Sequence, residues 1–374
     1  MPTIGGSLEK EKPKQWTFDV PRLPLLCIFC GSSCRYNELN FPAYHDESRK
    51  SKRSMKTDPP QIVGRLAPSP TGAQHIGNAR TYLIAWLSAR SQAGRIILRI
   101  EDIDSPRIKP GAAEQAIADL QWLGLDWDQG PVIQTQRLAL YEHALTQLQQ
   151  REFVYPCTCT RTDVEQAASA PHAEHESPLY PGTCTRRRAA DAALLKDVPY
   201  CWRFRTKGTV CEFVDGFHGP LRIELSSAGG DFVVWKSART PAYQLAVVVD
   251  DADLGVNVVV RGDDLIPSTP RQLLLYEAFA FKPPHFIHVP LVVGTDGRRL
   301  AKRHGDTRLA TLRAAGVKPE AVLGLLAWSC GWLNHVEPIT ARDLVPLFRL
   351  ETIPQEPFVL DGTLLHKIGF NHRA

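Results

Sequence analysis

Apolar positions along the chain fall into short runs separated by helical stretches, starting at Ile62. Ile62–Leu66 reads as a buried strand, Asn78–Arg90 as a helix, Arg95–Ile100 as a second strand and Ala112–Leu123 as a second helix. A strand–helix–strand–helix start implies an α/β fold with a parallel sheet, whose ligands collect at the carboxyl ends of the strands. After Arg151 the rhythm breaks into an insert containing Cys and His, followed by strand-like runs near Trp202–Arg205 and Leu221–Leu225. Strand pattern resumes at Tyr243–Asp250 and Val256–Arg261. A helix is expected over Pro270–Phe279, a strand over Phe286–Val293, and helical structure over Pro319–Trp332 and Ala341–Phe348. No internal repeat is visible.

Residues 1–60 mix Pro, Lys and Ser without a sustained period and end near the polar run Glu47–Ser54, which cannot bury a core. They read as a disordered leader. The chain has two methionines, Met1 and Met55, so Met55 is an alternative start. The leader's Cys27, Cys30 and Cys34 lack a fourth metal ligand in a structured frame.

Composition narrows the class. With 374 residues, 43% of them hydrophobic and 22% charged, the chain has material for two or three packed units. Its longest apolar runs, around Val289–Val293 and Val322–Trp328, fall well short of the roughly 20 residues that span a bilayer. Neither that nor a signal peptide being evident, a soluble protein is expected, with no membrane partner. Nine irregularly placed cysteines do not suit a disulfide-stapled secreted scaffold; they point to a reducing cytoplasm and to metal binding as the use of clustered thiols. The net charge is +4, but residues 55–374 hold 35 Lys/Arg against 34 Asp/Glu, so any nucleic-acid surface is local.

Directly after the first strand comes Arg65-Leu-Ala-Pro-Ser69-Pro-Thr71-Gly72-Ala-Gln-His75-Ile-Gly77-Asn78, with a helix opening at its end. Glycines let backbone approach a ligand, prolines stiffen the turn, and a helix N-terminus offers N–H groups to a phosphate. The run resembles the first signature of class I aminoacyl-tRNA synthetases, in the version of the glutamyl and glutaminyl branch, with Asn78 where the last His usually stands. Further matching blocks follow in the family's order: Arg99–Arg107, Asp231–Ala246, Val260–Leu265 and Leu300–Gly305. The resemblance covers about Ile62–Trp332. It implies a Rossmann-type catalytic domain with a zinc-containing insert and a short helical C-terminal region. The two halves of the domain would be 61–150 and 231–305, the insert 151–230, and the tail 306–374.

Recognising a free amino acid takes a carboxylate for its ammonium and guanidinium groups for its carboxylates. Glutamate needs two cationic clamps and one anion. The residues that match the family's amino-acid contacts are Arg65, Ser69, Glu101, Tyr243 and Arg261, with the last two expected at strand ends; which arginine takes which carboxylate stays open. Arg299-Leu-Ala-Lys302-Arg303 resembles the second class I signature, a lysine loop closing over the ATP phosphates. Lys302 is the functional lysine by match, and Arg299 replaces an earlier one. The implied reaction is attack of the glutamate α-carboxylate on the α-phosphate of ATP, accompanied by Mg²⁺, then acyl transfer to an RNA hydroxyl. His75, the Gly77 backbone and Lys302 are the catalytic candidates, and with Asn78 the ATP-binding ones.

Cys157-Thr-Cys159 and Tyr180-Pro-Gly-Thr-Cys184 place three thiols and a phenol in the insert. Tetrahedral zinc needs a fourth donor. Chemistry favours His172 or His175, whereas the resemblance suggests Tyr180. Cys201, Cys211 and Cys330 read as core. Arg186, Arg187 and Arg188 follow the cysteines and suit either a solvated face or phosphate contact.

Full-length glutamyl-tRNA synthetases continue into an anticodon-binding region, for which the roughly 40 residues after Trp332 are too few. The pattern therefore resembles the short bacterial paralogues that activate glutamate without tRNA and esterify it onto queuosine in the anticodon of tRNA(Asp). Two alternatives are a truncated conventional glutamyl-tRNA synthetase charging a tRNA 3′ end and a catalytically silent RNA-binding paralogue.

Overall fold

A computed structural model gives the fold over residues 61–103, 108–167, 179–206, 208–226, 229–237, 239–300 and 307–370. The expectations for residues 1–60, including Met55, lie outside these described residues. So do Lys302, His172 and His175. The chain opens with a parallel sheet of order β1-β2-β3, made of β1 (Val63–Leu66), β2 (Arg95–Ile100) and β3 (Gln129–Ile133). Its crossovers are α1 (Ile76–Arg90) and α2 (Ala112–Trp122), and α3 (Leu138–Gln150) follows. In β2, Ile96 to Ile100 are all buried, as a parallel strand covered on both faces requires. Helix α1 buries Ile76, Leu83, Ile84, Trp86 and Leu87 and has no polar stripe, because it is covered on several sides. Arg80 in its middle is buried, its guanidinium donating to Ser329 Oγ and to the Pro290 and Ser329 carbonyls.

The insert forms its own small sheet. Strands β4 (Val154–Cys157) and β5 (Cys201–Phe204) pair antiparallel, with the short helix α4 (Arg161–Ala167) between them in sequence. A hairpin of β6 (Val210–Asp215) and β7 (Gly219–Glu224) comes next, and β8 (Phe232–Trp235) returns to pair with β5.

Tyr243–Asp250, expected as a strand, is instead part of helix α5 (Tyr243–Asp253). A continuous apolar run carries no period that separates a buried strand from a buried helix. Leu245 to Asp251 are all buried against α3, β8 and the next helix, so burial on every side overrides the strand preference of three consecutive valines. Beyond it, β9 (Val258–Gly262) and β10 (His285–Val289) form a second parallel sheet, connected by α6 (Thr269–Phe279). The strand expected over Phe286–Val293 is thus broken at Pro290, and its second piece is β11 (Val292–Val293).

The two parallel sheets meet at β1 and β9. Asn257 joins them: its N–H donates to the Val63 carbonyl at 3.0 Å, and its side chain accepts from the Val63 N–H and donates to the Gln61 carbonyl. Strand order therefore reverses beside β1, where open α/β sheets leave a crevice for ligands. Helices α7 (Leu309–Ala314), α8 (Pro319–Ser329) and α9 (Ala341–Leu344) follow, then β12 (Phe358–Val359) and α10 (Gly362–Lys367). This tail is less uniformly helical than expected, since β12 pairs in parallel with β11. Leu344, Ile353, Leu360, Leu365 and Phe370 join the core around α1 and α8. A second core unites α3, α5, α6 and the sheet of the insert, and a third, of five residues, surrounds the cysteines. Among the described residues, no helix is long and apolar enough to cross a membrane.

Candidate functional site

A cavity of about 270 Å³ lies at the carboxyl ends of β1 and β9. Arg65, His75, Gly77, Asn78, Glu101, Tyr243 and Arg261 all line it, so seven of the sequence-derived site residues converge on one space. Ser69 does not line it; it is exposed, with its hydroxyl donating to the Glu101 carbonyl at 3.3 Å. Tyr243 sits on the first turn of α5 and not at a strand end, a consequence of the helix found there.

The cations are held by the chain itself. Arg65 is buried near the end of β1, donates Nη1 to the Val260 carbonyl at 2.8 Å, and lies 4.0 Å from Asp251. Its Nε has no hydrogen-bond partner, and burial pulls its guanidinium below the ordinary value. Arg99, whose role sequence reading missed, is fully buried among Asp251, Glu101 and Asp250, which together hold it firmly charged against the pull of desolvation. Both bonds from Arg99 to Glu101 fall on Oε1, leaving Oε2 free of hydrogen-bond partners among the described residues. Glu101 is thus anchored by one oxygen and can take an ammonium on the other. The signal for this network was present in the sequence: an arginine in the middle of an otherwise apolar strand, two residues before a glutamate.

Arg261 is the contrasting cation. Its Nε donates to His288 Nε2, its Nη1 to Gln272 Oε1 and its Nη2 to Thr269 Oγ1, at 2.9, 2.8 and 2.8 Å. All three acceptors are neutral. A desolvated guanidinium with no carboxylate partner is a strong attractor for an anion brought into the cavity.

Below α1 the chain departs from one expectation. His75 is the N-cap of the helix: its Nδ1 accepts from the N–H groups of Gly77 and Asn78, and Asn78 Oδ1 accepts from the His75 N–H. The Ile76 N–H donates to the Thr307 carbonyl. The Gly77 amide is therefore taken, and the helix start offers no free N–H at that position, because a histidine imidazole satisfies it from within. Gly77 matters sterically, since a Cβ there would come within 3.0 Å of the His75 ring. Burial, and then the nearby Arg299, pull the His75 imidazole down to about 4. It is neutral at pH 7, and with Nδ1 accepting, its proton is on Nε2, a donor suited to a phosphate oxygen. Asn78 serves the same cap.

Lys302 lies outside the described residues, but both ends of its segment are anchored beside the cavity. Arg299 lines the cavity and pairs with Asp264 at 2.7 Å. Thr307 and Leu309 bond to the backbone of Ile76 and Gln74.

In the insert, the sulfurs of Cys157, Cys159 and Cys184 lie within 4.8 Å of one another, and those of Cys159 and Cys184 are 3.8 Å apart. Tetrahedral zinc with bonds of about 2.3 Å places its sulfurs about 3.8 Å apart, so the donor set fits. The Tyr180 hydroxyl accepts from the Cys184 N–H at 2.8 Å and lies 3.4 Å from Cys157 Sγ. Hydrogen bonds, first from Cys201 and then from Tyr180 and Arg203, hold the Cys157 thiol well below its ordinary range, a bias toward the thiolate that a metal binds. Cys201, read from sequence as core, is half-buried and faces Cys157 across β4 and β5; Cys211 is also only half-buried, while Cys330 is buried as expected. Arg187 donates to Pro156 and Thr158 and braces the cysteine turn, and Arg188 is exposed.

The family described as "tRNA synthetases class I (E and Q), catalytic domain" matches residues 61–349. Four relatives called glutamyl-Q tRNA(Asp) synthetase are 42–57% identical to the chain. The one from Rhodopirellula baltica is 57% identical over 280 residues, which are 72% of this chain and 85% of the relative. A glutamate–tRNA ligase from Desulfosudis oleivorans is 39% identical, over 83% of this chain and 66% of its own length. Among solved structures, the glutamate-tRNA synthetase from Elizabethkingia anophelis superposes with a TM-score of 0.71 at 26% identity, covering 82% of this chain and 70% of that one. With the family's matched span containing the whole cavity, the chain belongs to the class I tRNA synthetases of the glutamate and glutamine branch, and it is an enzyme of the ligase type.

Proposed function

We propose that the protein activates L-glutamate with ATP, without tRNA, and transfers the glutamyl group to queuosine in the anticodon of tRNA(Asp). The observation that carries the glutamate reading is the placement of two buried guanidiniums, Arg65 and Arg261, and the half-free carboxylate of Glu101 around one cavity. Two cations and one anion complement a dicarboxylic amino acid. An amide side chain would leave one desolvated guanidinium without an anion. The acceptor is supported by the names of the relatives at 42–57% identity.

In this reading the α-carboxylate of glutamate attacks the α-phosphate of ATP in line, and pyrophosphate leaves; Mg²⁺ would accompany ATP as part of the substrate and offset phosphate charge. Alignment and charge stabilisation do the chemistry, with little covalent participation by the protein. Neutral His75 donates from Nε2 to a phosphate oxygen, Asn78 holds the cap that orients it, and Lys302 reaches the phosphates from a segment anchored on both sides of the cavity. A diol hydroxyl of the queuosine ring then attacks the activated carbonyl, and AMP leaves. Zn²⁺ in the insert, held by Cys157, Cys159, Cys184 and Tyr180, would act structurally, stiffening the RNA-facing turn; the Tyr180 hydroxyl, 3.4 Å from Cys157 Sγ, supports it as a donor.

The second reading, charging of a tRNA 3′ end, is favoured by the 39% identity to a glutamate–tRNA ligase. Incubation with labelled glutamate, ATP and either queuosine-containing tRNA(Asp) or tRNA(Glu), followed by digestion to nucleosides, separates the two. Label on queuosine is the expected result; label on the terminal adenosine overturns the acceptor assignment.

A further inference from the structure

We propose that Asp215 and His288 form a positioning pair that holds Arg261 in the amino-acid cavity by fixing the tautomer of one imidazole. The inference rests on the reading of Arg261 as a glutamate contact and extends it to two residues that do not line the cavity.

His288 is fully buried on β10, and Asp215 is buried at the end of β6, in the hairpin of the insert. His288 Nδ1 lies 2.6 Å from Asp215 Oδ2, and His288 Nε2 lies 2.9 Å from Arg261 Nε. An arginine Nε can only donate, so Nε2 must be the unprotonated, accepting nitrogen. The proton is then on Nδ1, where Asp215 accepts it. The ring is neutral, in keeping with a burial that pulls its pKa down.

The other oxygen of Asp215 settles the orientation of the carboxylate. Oδ1 accepts from the N–H groups of Phe217, His218 and His288, at 2.9, 3.0 and 3.2 Å. In Asp215→Asn the amide oxygen must stay on these three donors, which turns the NH₂ toward His288 Nδ1. That nitrogen then accepts and the proton moves to Nε2, where the Thr269 hydroxyl, 3.1 Å away, is the acceptor within reach; Arg261 Nε loses its acceptor and faces a donor instead. A change of one atom, at nearly constant volume, thus unlocks the arginine from the far side of the imidazole. Because Asp215 belongs to the insert hairpin, the pocket depends on the insert being seated.

The experiment measures glutamate-dependent pyrophosphate exchange in the full-length protein for Asp215→Asn, His288→Gln, Arg261→Lys and the double variant Asp215→Asn/Arg261→Lys. Asp215→Asn is expected to raise KM for glutamate roughly tenfold, the scale of a lost hydrogen bond to a charged group, with KM for ATP and Tm little changed. His288→Gln, whose amide oxygen can accept from Arg261, should recover most of the affinity. The Asp215→Asn effect should vanish in the Arg261→Lys background, since the two act through one contact. Nitrogen-15 NMR of the imidazole should report Nδ1–H in the parent and Nε2–H in Asp215→Asn. An Asp215→Asn effect that persists in the double variant, or an unchanged tautomer, overturns the proposal while leaving the glutamate reading standing. Unchanged glutamate affinity in Arg261→Lys overturns both.

Discussion

The cavity at the ends of β1 and β9 and the cysteine insert solve the same problem, keeping polar groups out of water, in opposite ways. Beside the cavity the chain supplies most partners itself, leaving Arg65 Nε, one oxygen of Glu101 and the charge of Arg261 open to a ligand. Arg99 is neutralised by three carboxylates, and Asp250 also accepts from Arg137, Tyr141 and Gln134. In the insert, a separate small core of five buried residues surrounds the cysteines, where the sulfurs of Cys157, Cys159 and Cys184 gather with Arg203 donating to Cys157 and Arg187 bracing the turn beside them. A buried ion network is complete when the chain folds; a thiol cluster is completed by a metal. The first region should therefore depend on single side chains, and the second on an ion.

The largest effect expected is on the insert. Structural zinc contributes on the order of 10–16 kcal/mol to small folding units. Chelation, or Cys184→Ser, should remove about one zinc per chain and abolish hydrogen-exchange protection over β4 and β5 while α1 and β2 stay protected. Unchanged protection of the insert would mean that the two regions do not differ. Retention of metal in Tyr180→Phe with its loss in His175→Ala would reassign the fourth ligand.

Next comes the ion network. Arg99→Met removes the close cation from Asp251 and Glu101, while Asp250 keeps Arg137, and denaturant unfolding should show a loss of about 3–5 kcal/mol with metal content unchanged. Lys302→Ala should slow pyrophosphate exchange by roughly 10²-fold or more while glutamate binding stays near that of the parent, if, as proposed, its charge acts on the phosphates in the transition state. Equal effects on both would contradict that role. Arg65→Ala should instead weaken glutamate binding itself, by about 2–4 kcal/mol, measured by calorimetry.

The smallest effect concerns pH. His75 has its folded value depressed to about 4 from the usual 6.5, so the unfolded chain takes up the proton first. Stability from this cap is fully present above about 6.5 and is lost as pH falls toward about 4. His75→Asn, which can cap without titrating, should flatten the melting temperature over that window. A parallel slope in the variant would assign the acid sensitivity to other groups.

By itself, the sequence determined the alternation of β1, α1, β2 and α2 within a residue or two, because their apolar runs are bounded by Gly, Pro and polar turns. It also marked the residues whose chemistry is particular: the arginines, Glu101 and His75 of the matched blocks, and the three thiols with Tyr180. What it left undecided follows from burial. Tyr243–Asp253 is a helix because it is enclosed by α3, α6 and β8, and the unbroken apolar stretch Leu245–Val249 in its middle carries no period to say so. Hydrogen-bond partners were equally out of reach. That the Gly77 amide is spent on His75, that Arg99 rather than Arg65 neutralises Glu101, and that Asp215 meets His288 Nδ1 from 73 residues away are facts of distance in space. A sequence records which side chains can donate or accept; only the packed structure decides which ones meet, since a buried polar group bonds to whatever the fold brings within about 3 Å.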